Sequence, residues 1–182
     1  ATVFGLSPRM RFDLVVNTLT VRALVDRKIQ IYGGDQWRPF VHCQDVAEAF
    51  AVAATASREL VAGEVFNVGS TKMNYTLEDV GSIVAGVVGP DVEVDTGEFN
   101  EDRRNYRVSF DKIESVLGFR PEYSLESGIE EMVQAIEASS SLRDYQQARF
   151  SNLKFLKDRF DGRIMATVPR RRDSGAQKAI VR

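Results

Sequence analysis

The sequence has 182 residues, with 24 Lys and Arg against 26 Asp and Glu, and 43% of its residues are apolar, which is typical of a globular protein of one or two domains. A single Cys and a single His exclude a disulfide framework, a Cys/His zinc site and a Cys-x-x-Cys redox pair. No apolar run reaches the roughly 18 residues that a membrane-spanning helix needs, and we predict a cytoplasmic protein without a metal site.

Strand and helix patterns alternate at the start of the chain. Residues 1–5 have the pattern of a strand that runs into a turn. Over residues 11–27, apolar side chains recur at helical spacing and predict an amphipathic helix with one buried face. A strand over residues 29–32, a glycine turn at residues 33–35 and a second strand over residues 39–43 follow.

Asp45 opens the second predicted helix. Its carboxylate is placed to accept a hydrogen bond from the first-turn amides, and the helix is expected to end near Ala56. Gly63 then interrupts the chain before a short apolar strand over residues 64–68.

Three further helices are predicted after this strand. Thr76 and Asp79 have the spacing of a capping box, which opens a helix ending at Val88. A short alternating strand follows at residues 92–94. The other two helices, each preceded by a capping serine, cover residues 110–117 and 125–138. Helices that alternate with short strands indicate an α/β layer structure.

Charge is segregated along the sequence. Residues 141–182 contain 11 Lys and Arg but only 4 Asp and Glu, a net charge of +7. Because the whole sequence has a net charge of −2, residues 1–140 have a net charge of −9. We predict a folded part over residues 1–140 and a basic, partly disordered C-terminal extension over residues 141–182. The run Arg170-Arg171-Arg172 lacks interleaved aromatic residues, which favours a solvated tail over nucleic-acid binding. Neither nucleic acid nor a membrane is a predicted partner.

The chain offers few groups for catalysis. His42 and Cys43 are adjacent on a predicted strand, so their side chains point to opposite faces and do not form a catalytic pair. We interpret His42 as a packed strand residue and predict no catalytic residue. The 13 glycines form no Gly-x-Gly-x-x-Gly motif, and the phosphate-cradling turn of a dinucleotide site is missing from this sequence.

Arginines are the more informative candidates. Arg38 lies just before a predicted strand, and Arg103-Arg104 lie just before the strand-like residues 106–108. A guanidinium group matches two phosphate oxygens at once, which favours a phosphate site. Taken alone, however, each arginine is better explained as one partner of a surface ion pair.

Four ordered stretches resemble one family: TVFG with SPRMRFD, IYGGDQWRPFVHCQDVAEAF, GEVFNVGS with NYTLEDV, and DRRNYRVSFDKIESVLGFRP with SLESGI. Together they are similar to the C-terminal half of extended short-chain dehydrogenase/reductases, the NAD-dependent nucleotide-sugar epimerase/dehydratase family. The resemblance implies the C-terminal part of a Rossmann-type sheet plus a small α/β substrate-binding domain.

The resemblance also implies an activity and a cofactor. Members use NAD or NADP and a Tyr-x-x-x-Lys pair to epimerise or dehydrate a nucleotide-diphosphate sugar, and none of the five tyrosines here has Lys at the fourth following position. We therefore expect the chain to be a fragment that is inactive alone and holds no cofactor by itself, from a full-length protein that can form a homodimer. A non-catalytic module that binds a nucleotide sugar or another phosphate ligand is the alternative.

Eight residues match substrate-binding positions of that family. Arg38 resembles the arginine that contacts the nucleotide phosphates, and Arg104 or its neighbour Arg103 resembles a second one. Gln30 and Tyr32 match strand positions that border the base, where an aromatic ring can stack, although Tyr32 is equally compatible with an aromatic core residue of a strand. The remaining three are Thr2, near the sugar, and Asp13 with Leu14, where Asp13 either contacts a sugar hydroxyl or serves as a first-turn helix residue.

Overall fold

The computed structural model describes residues 1–97 and 104–160. One small sheet has the strand order β1-β3-β4, with β1 at Thr2–Phe4, β3 at Trp37–His42 and β4 at Asn74–Thr76. β1 runs parallel to β3, whereas β4 pairs with β3 in the antiparallel direction.

A second sheet contains two parallel strands. β2 (Lys28–Tyr32) pairs with β5 (Glu93–Gly97), so that Tyr32 lies opposite Gly97 at the end of the pairing. A Cβ atom on Gly97 would lie 2.5 Å from Cε1 of Tyr32, and the absence of that atom leaves room for the Tyr32 ring. The predicted strands at residues 29–32 and 92–94 are both present, one and two residues longer than predicted.

Eight helices surround these strands within the described residues. They are α1 (Val15–Val25), α2 (Cys43–Thr55), α3 (Arg58–Val61), α4 (Leu77–Val88), α5 (Asp111–Leu117), α6 (Leu125–Ala138), α7 (Ser140–Arg143) and α8 (Asn152–Phe160). Helices α1, α4 and α6 pack against one another and enclose the main apolar core with β1, β2 and β3. The predicted α/β class is confirmed.

The local capping predictions for α4 and α6 are confirmed. Thr76 Oγ1 accepts from the backbone N–H of Asp79, whose carboxylate accepts from the N–H of Thr76. Ser124 and Ser127 form the same reciprocal pair at the start of α6. These pairs satisfy amides that a helix start leaves without an intrahelical partner.

The first helix starts later than predicted, at Val15 rather than at residue 11. Asn17 Nδ2 donates to the carbonyl of Arg11, and Thr18 Oγ1 donates to the carbonyl of Phe12 at 2.7 Å. These side chains hold residues 11–14 as a loop against the helix start, because they offer the loop carbonyls partners outside a helix. The interpretation of Asp13 as a first-turn helix residue is therefore wrong.

The predicted cap of α2 is also wrong. The predicted strand over residues 39–43 ends at His42, and the His42 ring Nδ1 accepts from the N–H of Gln44, so His42 is the N-cap. Asp45 is buried and accepts instead from the backbone N–H groups of Glu122 and Tyr123, at 2.8 and 3.3 Å. This carboxylate ties α2 to the turn before α6.

Two predicted strands are not strands in the structure. Residues 64–68 have no sheet partner among residues 1–97 and 104–160, and Lys112 Nζ donates to the carbonyl of Val65 where a ladder bond was expected. Residues 106–108 lie beside β3 and β4, but side-chain amides replace most of the ladder. Asn105 Oδ1 accepts from the N–H of Trp37, and Asn74 bonds both the N–H and the carbonyl of Val108.

Candidate functional site

Two adjoining cavities form a groove lined by residues of both sheets, of α1 and of the start of α4. They have volumes of about 540 and 350 Å³ and share Asp13, Val15 and Leu77 in their linings, and we call them together the central groove. Seven of the eight sequence-predicted site residues line it: Thr2, Asp13, Leu14, Gln30, Tyr32, Arg38 and Arg104. The eighth, Arg103, lies outside the described residues.

Arg38 lies in the floor of the larger cavity and is only 6% exposed. Its Nη2 donates to Gln36 Oε1 at 2.8 Å, and its Nη1 donates to the carbonyls of Trp37 and Arg104. The guanidinium carbon also lies 5.5 Å from the centre of the Tyr106 ring. These contacts hold a planar cation in one orientation, which suits it to a fixed anion.

Arg104 reaches the same cavity from a different part of the chain. It begins the segment of residues 104–108, which Asn105 and Asn74 bind to β3 and β4. Arg107 adds to this attachment, because its guanidinium carbon lies 3.4 Å from the centre of the Trp37 ring. The segment thus brings Arg104 and Tyr106 to the cavity that contains Arg38.

The smaller cavity has an aromatic and amide lining. Tyr32 is 44% exposed at the end of β2. Gln30, two residues earlier on the same face of the strand, is half-buried and donates from Nε2 to Asp95 at 3.4 Å. An exposed aromatic ring beside an amide group can stack on a flat heterocycle and hydrogen-bond to its edge.

Asp13 has partners on two sides. Its carboxylate bonds the Arg11 guanidinium at 2.9 and 3.1 Å and accepts from the backbone N–H of Asn152. Burial raises the pKa of Asp13, but the hydrogen bonds and charge of Arg11 and the Asn152 amide together hold it below its ordinary value. Asp13 therefore lines the groove as a carboxylate already engaged by the protein.

Sequence reasoning missed Gln36, Leu77 and Tyr106 as groove residues. Gln36 orients Arg38, and its carbonyl accepts from the N–H of Leu77 at 3.1 Å. The only signal for Gln36 was its position two residues before Arg38, which places both side chains on one face of extended backbone. Tyr106 comes from a segment more than sixty residues away, so local sequence could not indicate its contact with Arg38.

His42 lies away from the groove. It is fully buried, and its Nε2 lies 3.1 Å from Glu131 Oε2. Cys43 points elsewhere, with its thiol donating to the carbonyl of Leu6, and burial raises the pKa of that thiol. The described residues therefore do not combine His42 and Cys43 into a nucleophilic site.

Within the described residues, the starts of α1, α2, α4 and α6 lack the glycine-rich turn that a dinucleotide cofactor uses. Such a cofactor places its pyrophosphate at a helix N-terminus behind a glycine-rich turn. The N-cap residues of α1, α2, α4 and α6 are Leu14, His42, Thr76 and Ser124. Over residues 1–97 and 104–160, no three His, Cys, Asp or Glu side chains group as metal ligands would, and no helix combines the length and apolarity of a bilayer span.

The chain is similar to known proteins over most of its length. Residues 1–69 match the model of the NAD dependent epimerase/dehydratase family. The chain is 30% identical to the low-salt glycan biosynthesis protein Agl12 of Haloferax volcanii over 136 residues, which cover 72% of this chain and 42% of that protein. It is 28% identical to a dTDP-glucose 4,6-dehydratase of an Actinoplanes species over 137 residues, with 74% and 42% covered.

A solved structure shares the fold. UDP-glucuronic acid 4-epimerase from Bacillus cereus, in complex with UDP-glucuronic acid and NAD, aligns with a TM-score of 0.63 and 25% identity over 75% of this chain and 43% of that one. The family resemblance predicted from the sequence is confirmed. The chain spans less than half the length of these relatives.

Proposed function

We propose that this chain, through its kinship with the NAD-dependent epimerase/dehydratase family, forms the substrate-binding part of an enzyme that epimerises or dehydrates a nucleotide-diphosphate sugar. The observation that carries the proposal is the convergence of Arg38 and Arg104 on one cavity while Tyr32 lines the adjoining one. A ligand with an anionic centre and a flat ring matches this order of groups.

The larger cavity suits a diphosphate. Arg38 is held in place by Gln36 and by two backbone carbonyls, so less conformational freedom remains to be lost when it binds an anion. Arg104 brings a second positive charge to the same cavity. Two guanidinium groups match the two negative charges of a pyrophosphate bridge, and a planar guanidinium can donate two hydrogen bonds to phosphate oxygens.

The smaller cavity suits a nucleobase. Tyr32 is 44% exposed, and its ring lies against Gly97, which has no side chain to displace it. Gln30 adds amide groups on the same face of β2, which can bond the polar edge of a base. Proteins similar to this chain are named for dTDP-glucose or contain UDP-glucuronic acid, and both ligands carry a pyrimidine.

We assign the hydride-transfer step of this reaction to no residue of this chain. The sequence has neither a Gly-x-Gly-x-x-Gly motif nor a Tyr-x-x-x-Lys pair. We therefore propose that the chain works as part of a longer protein, which holds NAD or NADP and can dimerise. A non-catalytic module for a nucleotide sugar or phosphate ligand would use the same groove, and turnover of the sugar by the longer protein separates the two proposals.

Calorimetric titration of thymidine diphosphate and uridine diphosphate into the 182-residue chain tests the binding site. We expect one of the two nucleotides to bind saturably. Arg38→Lys and Arg104→Ala should each weaken that binding about tenfold or more, because a hydrogen bond to a charged group contributes roughly 1.5–3 kcal/mol. Arg120→Ala is the matched control, since Arg120 is 79% exposed and pairs only with Glu114 among the described residues. Equal affinity of all four proteins at low salt contradicts the assignment.

A further inference from the structure

A loop separates the central groove from the C-terminal end of the described chain. Residues 11–14, which we call the groove loop, present Arg11, Asp13 and Leu14 to the larger cavity. Residues 145–152, which we call the latch, contact the same loop. The latch lies in the part of the sequence predicted to be a C-terminal extension, and the proposed function gives it no role.

The first contact between loop and latch is formed by Phe12. Its backbone N–H donates to the carbonyl of Phe150 at 2.9 Å. Its ring packs edge-on against the rings of Phe150 and Tyr145, with centroid distances of 5.0 and 6.3 Å. Phe12 and Phe150 are each 6% exposed and belong to the main core, so the latch is packed into the fold at this point.

The second contact is formed by Asp13. Its Oδ2 accepts from the backbone N–H of Asn152, the first residue of α8, at 3.2 Å. Asn152 is the only residue of the latch that hydrogen-bonds to a groove-lining side chain in the described structure. The bond satisfies an amide at a helix start and places the carboxylate where the field of α8 favours negative charge.

The other end of the latch is anchored to the far end of α1. Tyr145 donates its hydroxyl hydrogen to Asp26 Oδ2 at 2.6 Å, and Asp26 is the C-cap residue of α1. The groove loop lies at the start of the same helix. The latch is therefore hydrogen-bonded near both ends of α1, to Asp13 before the helix and to Asp26 at its C-cap.

We infer that the latch is a positioning element of the central groove: residues 145–152 hold the groove loop in the arrangement that receives the diphosphate group. The ligand named here rests on the proposed function, whereas the effect of the latch on the loop does not. The inference gives Asn152, Phe150 and Tyr145 a role in the affinity for ligand although none of them lines either cavity of the groove.

A matched pair of substitutions at Asn152 isolates the contact with Asp13. Asn152→Pro removes the N–H, whereas Asn152→Ala keeps it. Proline is tolerated at the first position of a helix, and Ser151 before it is extended, with φ −131° and ψ 121°, as a residue before proline prefers. Tyr145→Phe removes the bond to Asp26 and provides a second, independent variant.

Two measurements are made on the full chain. Hydrogen exchange reports on the Phe12 amide, and calorimetry gives the Kd of thymidine diphosphate and uridine diphosphate. In Asn152→Pro and Tyr145→Phe we expect faster Phe12 exchange and a Kd about threefold to tenfold higher, consistent with the loss of one hydrogen bond. In Asn152→Ala we expect wild-type values of both, and amides of β2 serve as the internal reference for global stability.

Each result decides one of the two claims. If the Phe12 amide exchanges at the wild-type rate in Asn152→Pro and Tyr145→Phe, the latch does not position the loop. An equally faster exchange of β2 amides also contradicts the inference, because it indicates general destabilisation. Faster Phe12 exchange with an unchanged Kd contradicts it as well, because the loop would then not govern binding. If the wild-type chain binds neither nucleotide, the proposed function fails, while the exchange data still decide whether the latch holds the loop.

Discussion

The imidazole of His42 is enclosed by aromatic rings and glycine backbone. It stacks on Tyr123 with a centroid distance of 3.8 Å and meets the edge of Phe4 at 5.3 Å. A Cβ atom on Gly5 would lie 2.0 Å from Nε2, and one on Gly128 would lie 3.0 Å from Cδ2. The two glycines are therefore required for the ring to fit between β1 and α6.

This enclosure predicts a pH-dependent stability. Burial lowers the pKa of His42 and outweighs the opposite effects of Glu131 and Asp45. The unfolded chain then takes up the proton first, so the free energy of unfolding should fall as pH drops below about 6.5, the ordinary pKa of histidine, and should level off below the folded-state pKa.

Urea unfolding at closely spaced pH values between 5 and 8 measures this dependence. His42→Gln removes the titrating group, so its unfolding free energy should change less over the same range, whatever the offset of the curve. Parallel curves for the two proteins would show that another group governs the stability.

At the residue scale, sequence could indicate which groove residues carry chemistry but not what holds them. Arg38 and Tyr32 were identified because a cation and an aromatic ring stand at strand positions that match a family pattern. The contacts of Arg38 with Tyr106 and with the Arg104 carbonyl join parts of the chain more than sixty residues apart. Such contacts depend on tertiary packing, which no local pattern records.

At the element scale, α4 contains two glycines with opposite surroundings. A Cβ atom on Gly81 would lie 2.0 Å from Cδ1 of the buried Ile31, so this glycine permits close packing of α4 on β2. Gly86, five residues later on the same helix, is exposed, and apart from its chain neighbours and its own helix backbone no atom of the described residues lies within 4 Å of its would-be Cβ. Gly86 therefore serves as a control within the same helix, because a substitution there changes helix propensity without changing the packing of α4 on β2.

Alanine at the two positions should change stability in opposite directions. Gly86→Ala should stabilise the protein by about 0.5–1 kcal/mol, because alanine favours a helix interior. Gly81→Ala gains the same propensity but should destabilise the protein by about 1–3 kcal/mol, because the added methyl group overpacks the core.

Thermal and urea unfolding of both variants measure these changes. The same sign for the two substitutions would show that propensity, rather than the packing of α4 on β2, dominates at Gly81.

Elements set by neighbouring residues were predictable, and those set by distant residues were not. The capping boxes of α4 and α6 need only residues three apart. Asp45 has the same local signature as a cap, yet it bonds amides of Glu122 and Tyr123, and the cap position falls to His42. Residues 64–68 have the composition of a strand, but a strand also needs a partner edge, which sequence does not supply.

At the scale of the whole molecule, the groove is assembled from separate parts of the chain. β1 contributes Thr2, the groove loop contributes Asp13, β2 contributes Tyr32 and β3 contributes Arg38, while Arg104 comes from residues beyond β5. The latch holds one wall of this assembly from the C-terminal side. The proposed binding of a nucleotide is therefore a property of the packed fold rather than of any one motif.

X-ray diffraction from crystals of the chain with 5-bromouridine diphosphate locates both ends of a bound nucleotide, because bromine marks the base by anomalous scattering. We expect a bromine peak beside Tyr32 and diphosphate density between Arg38 and Arg104. The chain also has a separate cavity of about 450 Å³, lined in part by Arg9 and Arg149. A bromine peak in that cavity, or a central groove without nucleotide density at saturating ligand, would show that the central groove is not the nucleotide site.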